Sequence, residues 1–312
     1  MLALRKVFNQ VTKSLSQISF MPPSSPTTPI KIVCSPKTNN LTILSESPLI
    51  LINESFLDPQ SCQQIIQAAQ LYGNQWSSPA SISQDIKYEL PSFPLPAGFK
   101  PTEAAQLLED TFQEIDNIIG CSRTSVDVNP KVHHYPRSDD SKLSLPSGLH
   151  VDVNARPKRY ATAILYLTSL NDTINQGNGA TVFPAASNEN ESVKEAANYL
   201  IQRDLLHTDH AIASGDEQDI AMARLLLKEA HSGTSIVPEV GKLLIFFTCD
   251  DDGEVDPLTW HGADAVNARQ QTEDKWTLQI FKELPFGVSK FPFVQEKRER
   301  IRKIAKSCAV CC

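Results

Sequence analysis

Two periods of apolar residues divide the chain. Before residue 121 they fall at helical spacing, in "DPQSCQQIIQAAQLYG" after a short β-type run at 49–52, and again in "PTEAAQLLEDTFQEIDNIIG". An Asp-Pro step opens the first helix, where aspartate caps and proline suits the first turn, and Gly120 closes the second. From about 126 the pattern turns β-rich: "SVDVNPKVHHY", "GLHVDVN", "RYATAILYLTSL", "GATVFPA", "GTSIVPEVGKLLIFFT", "LTWHGADAVNA" and "DKWTLQIFKEL". Short strands punctuated by Gly, Pro, Asn and Asp predict a sandwich or barrel. One block interrupts them at 188–233, where "NESVKEAANYLIQRDLLHTDHA" and "DEQDIAMARLLLKEAHSG" predict two helices inserted between strands. Nothing repeats at a fixed period, which argues against a solenoid.

These shifts divide the chain into an N-terminal arm and linker (1–45), an ordered domain (46–290) and a basic, cysteine-containing tail (291–312). The arm carries basic residues at 5, 6 and 13, has no acid before Glu46, and lacks a continuous apolar signal region. That composition suits a disordered arm in a cytoplasmic protein; an organellar transit peptide is the alternative. The 312 residues, 41% of them hydrophobic, suffice for one large domain. An excess of 36 acidic over 29 basic residues argues against a nucleic-acid partner. No apolar run is long enough for a membrane span. Seven scattered cysteines in a chain of this size favour free thiols and a reducing compartment.

The candidate chemistry begins in "GLHVDVN". Alternate residues of a strand share a face, so His150 and Asp152 project together while Val151 and Val153 point away. An imidazole and a carboxylate so placed are two ligands for a divalent metal, and His261 in "LTWHGADAV" is the third candidate. Two histidines and one carboxylate on strands form the facial triad of non-haem Fe(II) oxygenases, although zinc accepts the same donors. A second H-x-D, His207 and Asp209 with His210 beside it, reads as helical, where i and i+2 do not share a face. His133 and His134 point to opposite faces of one strand and read as structural, as does His231 near a helix end. Asp250–Asp252 reads as a solvated turn.

From "VHHYPRSDD" through "LHVDV", "KRYATAILYLTSL", "GNGATVFPA", "IVPEVGKLLIFF", "DGEVDPLTWHGADAV" and "DKWTLQIFKE", the chain resembles the prolyl 4-hydroxylase branch of the 2-oxoglutarate- and Fe(II)-dependent dioxygenases. The segment order agrees over 126–283, and "PLILINESFLDPQSCQQII" is similar to the family's first strand and helix. The resemblance implies a mainly β fold with flanking helices around a double-stranded β-helix, a jelly roll of the cupin kind. It implies Fe(II) held by His150, Asp152 and His261, with 2-oxoglutarate and O2 as cosubstrates and ascorbate as a further cofactor. Lys275, followed by Trp276, matches the lysine that binds the distal carboxylate of 2-oxoglutarate; Tyr135 would share that carboxylate, and Thr162 is a further candidate for the same pocket. The implied reaction is hydroxylation of peptidyl proline on a protein or peptide partner. The alternatives are a free amino acid or other small molecule as substrate, or a non-catalytic 2-oxoglutarate- or metal-binding interaction module. Keeping Asp152 favours hydroxylation over halogenation, which needs that position vacated for halide.

Three departures stand out. Ser147 replaces a tyrosine the family often carries, the stretch from His261 to Lys275 is lengthened by "ARQQTED" so that Arg269 rivals Lys275, and the helical insertion is added. In the tail, "EKRERIRKIAKSCAVCC" sets basic residues beside Cys308, Cys311 and Cys312. That pairing of signals suits membrane attachment through lipidated cysteines; a solvated basic helix is the expectation.

Overall fold

The apolar runs pair antiparallel into two sheets. The computed structural model describes residues 40–72, 74–76, 86–89, 103–121, 131–138, 145, 148–153, 159–171, 178–285 and 287–310. The larger sheet runs in the order β1 (Leu41–Glu46), β2 (Leu49–Asn53), β9 (Leu243–Phe247), β6 (Arg159–Tyr166), β11 (Lys275–Glu283), β5 (Lys131–Tyr135), β4 (Ile86–Glu89), β3 (Asn74–Trp76). The smaller sheet orders β10 (Gly262–Ala263), β7 (Thr181–Phe183) and β8 (Thr234–Ile236).

One face of the large sheet is covered by helices α1 (Pro59–Tyr72), α2 (Glu103–Ile119) and α6 (Lys290–Val310). Cys62, Ile65, Ile66 and Ala69 lie at i, i+3, i+4 and i+7, so α1 turns one apolar stripe inward. Asp58 caps it through the Ser61 amide at 2.9 Å, and Gly120 ends α2 at φ 76°. Ile65, Phe112, Ile301 and Ile304 pack on Ala163, Leu165, Ile245 and Leu278 of the sheet.

The other face meets the small sheet. Ile164, Tyr166, Leu244 and Phe246 pack with Phe183 and Ile236. Strands β6 and β9 are therefore buried on both faces, which is why "ATAILY" and "LLIFF" read as unbroken apolar runs. Strand β11 differs. Its residues Trp276, Leu278 and Ile280 join the helix-covered core, while Lys275, Thr277 and Gln279 turn inward toward the space between the sheets. A polar face aimed inward marks the site.

The insertion runs from β7 to β8, whose facing ends pair Phe183 with Thr234. Gly233 sits where its two ends meet; a Cβ there would collide with the carbonyls of Phe183, Pro184 and Ala186. It holds three helices rather than the two expected: α3 (Glu191–Gln202), α4 (Thr208–Ala213) and α5 (Glu217–Lys228). Asp204 adopts left-handed backbone at φ 57° and His207 is extended at φ −146°, so the first predicted helix breaks between them. Val193, Ala197, Leu200 and Leu226 pack on Leu149, Val151, Val182 and Trp260.

Three expectations are revised. Helices supply more described residues than strands, so the fold is mixed α/β, two antiparallel sheets flanked by helices, rather than mainly β. Order begins within the expected arm, because β1 pairs with β2 from Leu41. The tail is part of the core: Val294, Ile301, Ile304 and Cys308 of α6 are buried. Its cations meet acids, Arg298 reaching Asp251 at 2.6 Å and Arg302 reaching Asp251 and Glu46 at 3.0 Å. Asp251 thus anchors α6 instead of lying in a merely solvated turn, and Cys311 and Cys312 fall outside the described residues. Among the described residues no helix is long and apolar enough to cross a membrane.

Candidate active site

His150, Asp152 and His261 converge, each offering a ligand atom within 4.8 Å of the others. Among the described residues this is the one such group of His, Cys, Asp and Glu. His150 and Asp152 come not from a regular strand, as expected, but from an extended segment joined to its neighbours by single bridges. His261 immediately precedes β10 and bonds His150 in both directions, amide to carbonyl, at 2.8 and 2.9 Å. Period-two alternation still places His150 Nε2 at 3.6 Å from Asp152 Oδ1.

His261 and Asp152 are each oriented by hydrogen-bond partners. His261 Nδ1 lies 2.9 Å from the Thr259 carbonyl; an N–H donated there leaves Nε2, 3.4 Å from Asp152 Oδ2, as the metal-facing atom. The Phe183 and Phe246 rings flank the His261 ring at 5.5 and 4.7 Å and keep it dry. The Thr162 hydroxyl, wholly buried, donates to Asp152 Oδ2 at 2.9 Å. Arg159 Nη1 stands 3.9 Å from Asp152 Oδ1. Burial alone would raise the Asp152 carboxyl. His261, by charge and hydrogen bond, then His150 and Arg159, outweigh burial and hold it well below the usual carboxylate range. The carboxylate is therefore ionised at neutral pH, as a metal ligand must be.

Beside the triad, Tyr135, Ile164, Thr181, Lys275, Thr277 and Gln279 line a pocket between the sheets. Lys275 is 1% exposed, and its Nζ donates to the Gly179 carbonyl at 2.6 Å and sits 5.0 Å from the Tyr135 ring centre and 5.8 Å from that of Tyr166. The Tyr135 hydroxyl accepts from Gln279 Nε2 at 3.3 Å and lies 3.2 Å from His133 Nδ1. Tyr166 is fully buried; its hydroxyl donates to Thr181 at 2.7 Å, and burial pushes its pKa up.

The structure thus gathers His150, Asp152, His261, Lys275 and Tyr135 at one pocket. Thr162, expected among the cosubstrate groups, does not line it and faces Asp152 instead. Arg269 is exposed and lies off the pocket, because Gln271 fastens the long polar turn to Asn171 by bonds of 2.7 and 3.0 Å. His134 turns to the other face of β5, stacking on Trp276 and reaching Asp274 at 2.9 Å. Ser147 lies outside the described residues. The sequence reading passed over Thr277 and Gln279, although alternation from Lys275 in "KWTLQ" places both on its face; Arg159 and Thr181 gave no such signal.

An ionised carboxylate and two imidazoles on one face, partly shielded from water, fit a divalent metal, and a buried lysine in the adjoining pocket fits an anion. Two histidines and one carboxylate are the donor set of the facial arrangement that binds non-haem Fe(II) and leaves further coordination positions open. No family model and no curated protein sequence matches the chain. Among solved structures, it is similar to a viral collagen prolyl hydroxylase from Paramecium bursaria Chlorella virus-1 in its 2OG complex, at 15% identity over 76% of this chain and 97% of that one, with a TM-score of 0.44. It is also similar to a Trichoplax adhaerens prolyl hydroxylase in complex with a hypoxia inducible factor oxygen degradation domain peptide fragment. There the identity is 12% over 81% of this chain and 87% of that one, at a TM-score of 0.42. A Pseudomonas putida prolyl-4-hydroxylase gives 13% identity over 76% and 93%, at 0.38.

Proposed function

We propose that the chain hydroxylates proline in a protein or peptide, within a double-stranded β-helix core, using 2-oxoglutarate as cosubstrate. Lys275 carries the cosubstrate part of this reading: its buried ammonium lines the triad's own pocket, where it is placed to pair with a carboxylate of the cosubstrate. The order of sequence segments over 126–283 supports proline as the target. When bound, Fe(II) with 2-oxoglutarate and O2 supplies the oxidation that hydroxylates the substrate and releases succinate and CO2. The chain's part is geometry. Asp152 stays ionised, Thr162 fixes one of its oxygens, and the Thr259 carbonyl fixes the ring of His261. Lys275, with the Tyr135 hydroxyl and the Gln279 amide, holds the distal carboxylate of 2-oxoglutarate, while Ile164, Phe183 and Phe246 exclude water. Ascorbate belongs to this reading only through the sequence resemblance.

The test is succinate formation from 2-oxoglutarate with Fe(II), with and without a panel of proline-containing peptides. Stimulation by some peptides, lost in Asp152→Ala, is the expected result. Stimulation only by free amino acids or other small molecules would overturn proline as the target, and turnover that survives in Asp152→Ala would overturn the site.

A further inference from the structure

His150 is the middle one of three histidines in a row. On one side it pairs with His261; on the other, Val151 N donates to the Leu206 carbonyl at 3.1 Å and Thr208 N to the Leu149 carbonyl at 2.9 Å, setting His207 directly opposite. Residues opposed in antiparallel pairing present their side chains to one face. The rings comply: His207 stacks on His150 at 5.8 Å and 14°, and His150 meets His261 at 4.5 Å. His207 is therefore no part of a helix face, as the sequence suggested. It caps α4 in an extended conformation, its Nδ1 accepting from the Asp209 amide at 3.1 Å.

Behind the rings, the buried Thr208 hydroxyl lies 3.0 Å from Leu149 N and 3.2 Å from Leu149 O, accepting from one and donating to the other. The second ligand strand is tied as well, since the Trp260 indole, one residue before His261, donates to the Ala197 carbonyl of α3 at 3.1 Å. The segment carrying His150 is joined by isolated bridges, to His261 on one edge and to His207 of the insertion on the other, so the insertion supplies part of its backbone support.

We propose that the insertion sets the metal site: Thr208 and His207 are positioning residues that fix His150, and affinity for a divalent metal depends on 206–208 being docked on 149–151. This rests on reading the triad as a metal centre. The test titrates the metal-free full chain with Co(II) alone, by calorimetry and by the visible absorption of the bound ion, with His261→Ala as the reference for a lost ligand. Thr208→Val is expected to weaken Co(II) binding about 10- to 100-fold, the range for losing a group that orients a ligand. Thr208→Ser, which keeps the hydroxyl, restores most of it. His207→Ala, at a part-exposed ring, shifts the Co(II) absorption and weakens binding while the metal-free protein melts as wild type does. Wild-type affinity and spectrum in both Thr208→Val and His207→Ala would overturn the proposal, and should Thr208→Val not fold, His207→Ala decides alone. A wild-type chain that takes up no Co(II) overturns the metal reading itself, and this inference with it.

Discussion

Replacing Lys275 by methionine keeps an unbranched side chain in the pocket and removes its charge and its donors. The lysine is 1% exposed, and its ammonium faces the pocket between the Tyr135 and Tyr166 rings. Removing one partner of a buried, hydrogen-bonded charge pair costs about 2–5 kcal/mol. At about 1.4 kcal/mol per tenfold, 2-oxoglutarate should bind at least about 30-fold more weakly. The lower part of the range is expected, because the Tyr135 hydroxyl and the Gln279 amide still line the pocket. Metal affinity should hardly move, since Lys275 orients none of the three ligands. The assay is calorimetric titration of 2-oxoglutarate into Co(II)-loaded protein, paired with Co(II) into metal-free protein. Arg269→Ala is the control, an exposed cation off the pocket. An equal or larger loss from Arg269→Ala, or wild-type cosubstrate affinity in Lys275→Met, would refute the assignment.

Two further predictions concern stability. Lys282 and Asp116 form an ion pair, both wholly enclosed, so Lys282→Met strands a buried carboxylate and should cost about 3–5 kcal/mol. Thermal melts should show Lys282→Met/Asp116→Leu recovering most of this, and a single-variant loss below about 1 kcal/mol would contradict the pair's burial. At Asp274, burial pushes the carboxyl up, but hydrogen bonds from His134 and Arg137 outweigh it and leave it below the ordinary range. A lowered folded pKa stabilises above the unfolded value of about 4 and is lost as pH falls through the folded one. Asp274→Asn should therefore be less stable than wild type at neutral pH and converge with it in acid; a pH-independent gap in urea titrations would contradict this.

Much of the site was legible because strand alternation is local. "HVD" places two ligands on one face, and "KWTLQ" places the lysine, threonine and glutamine of the pocket together, whatever the distant partners are. Helix boundaries were legible at Asp58 and Gly120 for the same reason, since caps act within a few residues. What failed was long-range. Thr162 has the right strand face for the pocket, but only the fold reveals that Asp152 stands in front of it. The tail's cations read as solvated because Asp251 and Glu46, which bind them, lie far upstream in the chain. His207 read as helical from its flanks, whereas tertiary pairing with the His150 segment holds it extended. Propensity is a weak prior where a neighbouring strand supplies the hydrogen bonds.

The pairing of Phe183 with Thr234 makes the whole helical block, topologically, one oversized hairpin turn. Its ends stand a strand spacing apart, about 4.8 Å, whatever lies between them. Loop closure grows only with the logarithm of length, at about 0.6 kcal/mol per doubling, so stretching a tight turn to this size costs on the order of 2 kcal/mol. Burying even one of Val193, Leu200 or Leu226 offsets a comparable amount. Closure thus sets little limit on the block's length at the β7–β8 junction; what holds its sequence is the core its helices share with Leu149, Val182 and Trp260. Variation there would leave Lys275 and its pocket walls on the large sheet untouched while re-tuning the wall beside His150.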